Sequence, residues 1–434
     1  MRSCAGLCCL PCCILAWTLS AQALAAENWP AWRGPLGDGT SEAQDLPVVW
    51  NERHGLAWKA ALPEWGTSTP AIWDDTLFVT TQELDRLLLS RLDAGTGKVV
   101  WTAEVGTAET PRTGPPRGAQ KFHELQNNAS PSPVTDGEIV VAHFGNGDLA
   151  AYDFDGGELW RHNLADEHGA YSIWWGHANS PVLHGDLVIS ISMQDSLEGI
   201  ADRLSPSYLV AHDKRTGRER WKTMRMTEAD GEECDSYTTP VPCRVGDHWE
   251  LLVMGGNQLD AYDPATGKQL WFLPGLKGGR TITGAIVAHG MAYATVGMRG
   301  DLVAVPLGGQ GELTRRDVVW KATAATPDTP CPVVWRDLLF TVSDDGIACC
   351  YDAHRGHLKW KQRLPGDYKA SPVAAEGRVY FLNMQGLATV VSASDRFERL
   401  ARNQLDDETT ASPAVAGGRI YIRGRKSLYA IEKK

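Results

Sequence analysis

Short runs of alternating apolar and polar residues, separated by glycine-containing turns, make up most of the chain. In Gln258–Trp271 apolar positions alternate up to Tyr262, a polar turn follows, and a second run ends on Trp271. A period of two is typical of half-buried strands. Asp263 can accept hydrogen bonds from the turn amides, and Gly267 can adopt the positive φ that reverses the chain. The stretch therefore predicts a β-hairpin.

This hairpin recurs, each time with an Asp before the turn and a Trp at the end of the second strand. The further copies are Leu92–Trp101, Tyr152–Trp160, His212–Trp221 and Tyr351–Trp360. From Trp58 to Trp360, successive closing tryptophans lie 40 to 61 residues apart. Repeats of this length, with strands and no helical periodicity, are typical of β-propeller blades. Because these Trp and Asp residues recur in every copy, we expect them to be structural.

A Ser-Pro-Val-like start, a turn and a β-branched strand precede the hairpins. The seven starts are Ser68–Ala71, Ser130–Val134, Asn179–Val182, Thr238–Val241, Thr329–Val333, Ala370–Val373 and Ala411–Ala414. Thr281–Val305 is a degenerate eighth copy, with Gly284-Ala285 in place of Pro-Val. Each full unit therefore predicts four strands.

The two ends of the propeller sequence complement each other. The last unit, Thr410–Ile431, stops before a closing Trp, whereas Leu56–Lys59 is a closing strand that lacks its own blade. A ring in which the first strand completes the last blade has no exposed sheet edge. We therefore predict an all-β fold, an eight-bladed β-propeller of four-stranded antiparallel blades, closed by an N-terminal strand that completes the last blade.

The N-terminus reads as an export signal. Met1–Ala26 has one early charge, an apolar run over Leu10–Leu24 and small residues before Glu27, which is typical of a cleaved secretory signal peptide. The run is short for a membrane span, and a retained anchor is the alternative. The predicted organisation is a signal peptide over 1–26, an N-terminal strap over 27–55 and the propeller over 56–434. We expect export to the periplasm or cell envelope and no transmembrane span.

The net charge limits the classes of partner that the chain can bind, and the cysteine count limits the disulfide bonds that it can form. A formal net charge of −11 without a basic stripe argues against nucleic acid and anionic membranes as partners. The signal removes five of the ten cysteines, and the five that remain cannot all pair. Pairing of Cys234 with Cys243 is left open, and Cys349-Cys350 are expected to be small buried residues. His354-x-x-His357 is expected to be a solvated turn, and no metal site is assigned.

The sequence resembles a known family. Asn28–Pro35 (Asn-Trp-Pro-Ala-Trp-Arg-Gly-Pro), the Ser-Pro-Val starts and the Asp-x-x-Thr-Gly-Lys-x-x-Trp hairpins are similar to the PQQ-like (pyrroloquinoline-quinone-type) β-propeller repeat proteins that bacteria export. One branch, BamB-like, contains a non-enzymatic eight-bladed scaffold of outer-membrane protein assembly. Another branch, the quinoprotein alcohol dehydrogenases, holds PQQ and Ca²⁺ over the propeller mouth. The chain lacks the lipid-attachment Cys of the first branch, and no catalytic residue of the second can be placed by motif.

A candidate site follows from propeller geometry, because the segments that enter the innermost strands converge on one mouth of the central channel. Aromatic, amide and charged side chains are concentrated there, and such groups can stack on and orient a ligand. The candidate ligand-binding residues are Trp65, His123, Gln126, Asn127, Asn128, Trp174, Trp175, His177, Asn179, Asp235, Tyr237 and Arg280.

Two functions of different class remain. The first is an exported, monomeric binding or scaffold module for a protein, peptide or carbohydrate partner, with no certain cofactor. The alternative is a PQQ- and Ca²⁺-dependent dehydrogenase of an alcohol or sugar, with Asp235 or Glu232 as conceivable bases. The first is preferred, because a fold resemblance alone does not supply a catalytic constellation.

Overall fold

The computed structural model describes residues 28–63, 65–107, 123–169, 171–173, 175–194 and 207–434. Strands of these residues form eight sheets, each built around four antiparallel strands. The described helices are one α-helix, Leu164–His168, and one 3₁₀-helix, Gly231–Cys234. Neither has the length and apolar character that crossing a membrane would require. The predicted all-β, eight-bladed propeller is confirmed.

Each blade is numbered by chain order, and its strands run from the channel outwards. Blade 1 consists of Ala71–Trp73, Thr76–Glu83, Arg86–Asp93 and Val99–Thr107, and blade 2 of Val134–Thr135, Ile139–His143, Asp148–Asp153 and Glu158–Asn163. Blade 3 consists of Val182–His184, Leu187–Ser192, Tyr208–Asp213 and Glu219–Met224, and blade 4 of Val241–Val245, His248–Gly255, Gln258–Tyr262 and Gln269–Leu273. A short strand, Gly311–Glu312, adds to the outer edge of blade 4 in parallel.

The second half of the ring repeats this plan. Blade 5 consists of Ile286–Ala288, Met291–Thr295, Leu302–Pro306 and Trp320–Ala322, and blade 6 of Val333–Trp335, Leu338–Val342, Ile347–Asp352 and Leu358–Arg363. Blade 7 consists of Val373–Ala375, Arg378–Leu382, Leu387–Ser392 and Arg399–Gln404, and blade 8 of Ala414–Ala416, Arg419–Arg423, Ser427–Glu432 and Leu56–Ala61. Thr40–Ser41 adds to the inner edge of blade 7 in parallel.

The ring closes as the two chain ends predicted. Leu56–Ala61 pairs antiparallel with Ser427–Glu432, and Trp58 lies opposite Ala430. On the channel side, Ala71–Trp73 of blade 1 contacts Ala414–Ala416 of blade 8. The last blade therefore takes its outermost strand from the N-terminal part of the chain, which leaves no open end in the ring.

The recurring tryptophans latch six of the eight blades to the next one. The indole Nε1 of Trp58 donates to Ala94 O at 3.0 Å, just after the turn Asp of blade 1. The same bond joins Trp101 to Phe154, Trp160 to Lys214, Trp221 to Pro264, Trp320 to Ala353 and Trp360 to Ser394. The turn glycine is needed for this contact, because a Cβ on Gly97 would lie 2.5 Å from the Trp58 ring. Trp and Gly therefore recur together because they form one interface.

Blade 5 lacks this turn, so the tryptophan before it behaves differently. Trp271 donates to the Glu250 carboxylate of its own blade at 3.0 Å. Both side chains are fully buried.

The residue before each Pro forms a belt of hydrogen bonds around the channel. The amide of Thr69 donates to Ser132 Oγ at 2.9 Å, and the amide of Ser132 donates to Ser180 Oγ at 2.9 Å. Equivalent bonds run from Ser180 to Thr239, from Gly284 to the Cys331 thiol, from Cys331 to Ser371 and from Ser371 to Ser412. Thr69 Oγ1 joins blade 1 to blade 8 by donating to Ser412 O at 3.0 Å. The Ser-Pro starts therefore recur because they join the blades.

The belt also corrects the alignment of the degenerate repeat. The inner strand of blade 5 begins at Ile286, so Ala285 occupies the proline position and Gly284 the position before it. The expectation that Gly284-Ala285 replaces Pro-Val was therefore one residue out of register. Because glycine has no hydroxyl, Gly284 cannot accept the bond that would continue the belt from Thr239.

Residues 28–55 run along the propeller before the closing strand. Trp29 exchanges backbone hydrogen bonds with Ile72 of blade 1, and Pro30 accepts one from Thr135 of blade 2. Thr40–Ser41 pairs with blade 7, so this segment crosses the channel. The buried guanidinium of Arg33 donates to the carbonyls of Pro332 and Pro372. Further on, the buried Trp50 stacks on Tyr380, with ring centroids 6.3 Å apart.

The cysteines and the turn with His354 and His357 can be compared with the predictions made from the sequence. None of the five cysteines of the described chain forms a disulfide, so Cys234 and Cys243 are not bonded to each other. Cys349 and Cys350 are both buried. His354 and His357 are exposed in a hairpin turn, as expected, and His354 Nε2 lies 3.0 Å from Asp337 Oδ1.

Candidate functional site

A cavity of about 370 Å³ lies at one mouth of the central channel. Residues that precede the innermost strands of all eight blades line it. The lining consists of Thr67, His123, Leu125, Gln126, Ser130, Trp175, Ala178, Glu232, Tyr237, Arg280, Ile282, Thr329, Lys369, Ser371, Thr410 and Ser412, together with Trp32 of the segment that crosses the channel. Propeller geometry therefore brings entry segments together as predicted, and Trp32 makes an additional contribution from residues 28–55.

One side of the cavity is aromatic. The rings of His123 and Trp175 meet edge to face, with centroids 5.5 Å apart. Gln126 Nε2 fixes this side by donating to the carbonyls of Trp175 and Gly176. Burial lowers the pKa of His123, and the nearby cations Lys369 and Arg280 also lower it, so the imidazole is neutral near pH 7. This side thus offers flat, uncharged faces for stacking.

The other side carries two cations, each beside a carboxylate. Arg280 lies 3.3 Å from Asp328 and 4.0 Å from Glu232. Lys369 Nζ lies 2.7 Å from Asp344 Oδ2.

Lys369 and Asp344 form an ion pair at the edge of the cavity. Burial acts to raise the pKa of Asp344, but the Lys369 ammonium and hydrogen bonds from Thr329 outweigh it and keep the pKa below its ordinary value. The carboxylate is therefore charged at neutral pH, and it holds Lys369 at the edge of the cavity. A ligand at this mouth meets cations whose positions are fixed in advance.

Five of the predicted site residues are buried below the surface of the mouth, where they hold its segments together. Asn127 Nδ2 donates to Trp65 O at 2.9 Å, which ties blade 2 to blade 1. Asn179 Nδ2 donates to Thr238 O at 2.6 Å, which ties blade 3 to blade 4. Asn128 and Asp235 are also buried, and neither lines the cavity.

The fifth buried residue, His177, belongs to an internal network. Its Nε2 lies 3.3 Å from His143 Nδ1, and His143 Nε2 lies 3.2 Å from the Tyr171 hydroxyl. The ring of His177 stacks on that of Tyr171 at 4.8 Å. Burial lowers the pKa of His177 to about 3, so it is neutral at physiological pH. Its place is in the support of the mouth, not on its surface.

The predicted residues therefore divide into groups. His123, Gln126, Trp175, Tyr237 and Arg280 line the cavity. Trp65 lines an adjoining cavity of about 390 Å³, where its ring lies under the guanidinium of Arg425 at 4.9 Å. Trp174 lies outside the described residues.

Sequence reasoning missed Trp32, Lys369 and the hydroxyl-bearing residues of the lining. Lys369 stands two residues before Ser371 of a Ser-Pro start, so its position relative to the repeat was a usable signal. Trp32 carries no such signal, since its place depends on how residues 28–55 cross the channel.

The donor set of the cavity does not fit a calcium ion. Ca²⁺ takes six to eight oxygen ligands, several of them carboxylates. Within the part of the chain that the structure describes, Glu232 is the one carboxylate that lines the cavity. It lies beside Arg280, and Lys369 adds a second cation on the same wall. These charges disfavour a divalent cation, so no chemical step through PQQ and Ca²⁺ is derived for this mouth.

The chain is similar to known proteins in two respects, its sequence family and its fold. A family model described as outer membrane protein assembly factor BamB matches residues 40–205 and 312–397, more than half of the chain. No curated protein sequence matches it. Several solved structures share its fold at low sequence identity.

The crystal structure of BamB from Moraxella catarrhalis has a TM-score of 0.58 and 14% identity, and the match covers 87% of this chain and 99% of that one. Quinohemoprotein alcohol dehydrogenase from Comamonas testosteroni has a TM-score of 0.69 and 13% identity, covering 94% of this chain and 81% of that one. Quinohemoprotein alcohol dehydrogenase ADHIIG from Pseudomonas putida HK5 has a TM-score of 0.67 and 11% identity, covering 94% and 80%. At these identities the likeness concerns the fold alone.

Proposed function

Because the chain belongs to the family described as outer membrane protein assembly factor BamB, we propose that it is an exported scaffold that holds a segment of an envelope protein at its channel mouth. The signal-like Met1–Ala26 supports export, and the family description supports a role in handling outer membrane proteins. The proposal assigns binding, and no catalysis, to the mouth.

The volume and the lining of the mouth cavity are the main support for this proposal. Its volume of about 370 Å³ is within the roughly 300–1,000 Å³ range of ligand pockets. Such a volume suits a few side chains of a partner, not a folded domain. The aromatic faces of His123 and Trp175 share the cavity with Arg280 and Lys369, so one part of the lining favours apolar groups and the other offers N–H donors to a carboxylate or carbonyl oxygen. A protein loop or extended segment with an aromatic or aliphatic residue near an acidic one fits this pattern.

Preorganisation is the physical advantage of the arrangement. Gln126 fixes the carbonyls beside the Trp175 ring, and Asp344 fixes Lys369. Side chains that are already ordered lose little conformational entropy when a partner binds. Aromatic and cationic residues in such positions are typical hot spots of protein interfaces.

The test measures binding of peptides tiled along the sequences of outer membrane β-barrel proteins to the purified chain, by fluorescence anisotropy. We expect a subset with acidic and aromatic residues to bind saturably. Trp175→Ala and Arg280→Gln should each weaken that binding at least tenfold. Trp249→Ala is the matched control, because Trp249 is 41% exposed and lies at the start of the second strand of blade 4, at the opposite end of the propeller.

Three outcomes would reject the proposal. The first is peptide binding that the two mouth variants leave unchanged. The second is saturable binding of an oligosaccharide, but of no peptide, at the mouth. The third is saturable binding of PQQ with Ca²⁺ and dye-linked oxidation of an alcohol or sugar, which would establish the dehydrogenase instead.

A further inference from the structure

Two histidines and a glutamate meet between blades 2 and 3, away from the mouth cavity. His162 is in the outermost strand of blade 2, Glu167 is in the short helix that follows it, and His212 is in the third strand of blade 3. One potential ligand atom of each residue lies within 4.8 Å of the other two. No sequence motif announces this cluster, because His212 is 50 residues from His162 along the chain.

Both ring nitrogens of His162 lie next to oxygen atoms that accept hydrogen bonds. Its Nε2 lies 2.8 Å from the Gly217 carbonyl oxygen, which can only accept, so Nε2 carries a proton. Its Nδ1 lies 2.7 Å from Glu167 Oε1. The lone pair of an imidazole and a carboxylate oxygen are both acceptors, so at 2.7 Å they share a proton, and a metal ion bound by both atoms would replace that proton and move them to about 3.4 Å apart.

His212 provides the second, independent observation. Its side chain is fully buried, and neither ring nitrogen has a hydrogen-bond partner among the described residues. Buried polar atoms of native proteins nearly always have a partner. The ring lies almost parallel to that of His162, with centroids 4.7 Å apart.

We propose that His162, Glu167 and His212 bind a zinc ion that joins blade 2 to blade 3. Two imidazole nitrogens and one carboxylate oxygen, with water as a fourth ligand, form a common zinc ligand set. Bond lengths near 2.1 Å place tetrahedral ligand atoms roughly 3.4 Å apart, which lies between the 2.7 Å from His162 Nδ1 to Glu167 Oε1 and the 4.8 Å limit of the cluster. The Gly217 carbonyl would orient His162 from the outer side, as partners of metal-bound histidines do.

A second cluster, His289 with Asp337 and His354, provides an internal control. Its ligand atoms also lie within 4.8 Å of one another, but all three residues are exposed. His354 Nε2 can donate to Asp337 at 3.0 Å, and His289 Nε2 donates to the Arg336 carbonyl at 2.8 Å. These bonds need no additional cation. We therefore expect zinc to prefer the interblade cluster.

The experiment uses the full exported chain without a histidine tag, stripped with a chelator. Titration with ZnCl₂ in a calorimeter should show one tight equivalent, and zinc should raise the unfolding temperature. His212→Gln and His162→Gln should each weaken zinc binding at least tenfold, whereas His354→Gln should leave it unchanged. Since ligand variants can fold poorly, imidazole ¹⁵N chemical shifts of the unmodified chain provide a second readout. Zinc should shift the ring nitrogens of His162 and His212.

Other results would overturn the assignment. One is no tight equivalent of zinc in the unmodified chain. Another is a tight equivalent that His212→Gln retains but His354→Gln removes, which would place the ion at the exposed cluster. A third is ¹⁵N shifts that report His162 protonated at both nitrogens and unaffected by zinc, which would identify the shared cation as a proton.

Discussion

Replacing Trp58 with alanine removes the side chain that fastens the N-terminal strand to blade 1. The indole packs against Gly97 and Tyr421, and its Nε1 donates to Ala94 O at 3.0 Å. Because Trp58 is partly buried, we count about 100 Å² of apolar surface, which corresponds to about 2.5 kcal/mol at 25 cal/mol per Å². The hydrogen bond adds about 1 kcal/mol. Trp58→Ala should therefore lower the free energy of unfolding by about 3.5 kcal/mol.

Trp58→Phe separates the two contributions. Phenylalanine keeps most of the ring contact and loses the donor, so we expect a loss of about 1 kcal/mol. Trp249→Ala, at an exposed tryptophan, should change stability by less than about 1 kcal/mol. The assay is urea unfolding followed by far-ultraviolet circular dichroism. If Trp58→Ala unfolds at the same urea concentration as the unmodified chain, the Trp58 latch does not stabilise the closed ring.

Three further predictions test the interfaces and the buried network. Gly97→Ala should destabilise the fold by about 2 kcal/mol more than Gly185→Ala, because both glycines have positive φ but only the new methyl at Gly97 meets the Trp58 ring; equal urea midpoints would contradict this. Trp271→Phe should cost about 1 kcal/mol more than Trp320→Phe, because it removes the shortest hydrogen bond to the buried Glu250 carboxylate, which keeps only His248 at 3.3 Å and Gly308 at 3.5 Å, whereas Trp320 donates to a backbone carbonyl; the reverse order in the same assay would count against the assigned partners. His177 has a folded pKa of about 3, so only the unfolded chain gains its proton as pH falls below 6.5, and stability decreases from that pH downwards. Between pH 7 and pH 5 the unmodified chain should lose about 2 kcal/mol more than His177→Gln, with the exposed His54→Gln as control, and parallel pH profiles would refute the burial of His177.

The fold could be predicted because its information is local and repeated. Each Asp-turn-Trp hairpin and each Ser-Pro start is a short pattern, and the structure shows that both patterns form contacts between neighbouring blades. The closing strand was predictable for the same reason, since Trp58 is a latch residue without its own blade. The one error of register, at Gly284-Ala285, falls where the repeat has lost both the proline and the hydroxyl.

The site was only partly predictable, because its residues come from separate blades. The sequence identified the entry segments, but it could not show that Asn179 and His177 turn inwards while Arg280 lines the cavity. Lys369 acquires its place through Asp344, which lies 25 residues away in another loop. Trp32 contributes only because its segment crosses the channel. Such relations depend on the three-dimensional ring and not on spacing along the chain.

Site-specific photo-crosslinking tests the scaffold proposal most directly. Benzoylphenylalanine would replace Leu125, which lines the mouth cavity, or Arg218, which is exposed in a hairpin turn at the opposite end of blade 3. In cells that export the chain, the scaffold proposal predicts light-dependent adducts with an envelope protein from position 125 and none from position 218. Adducts from position 218 alone would contradict it.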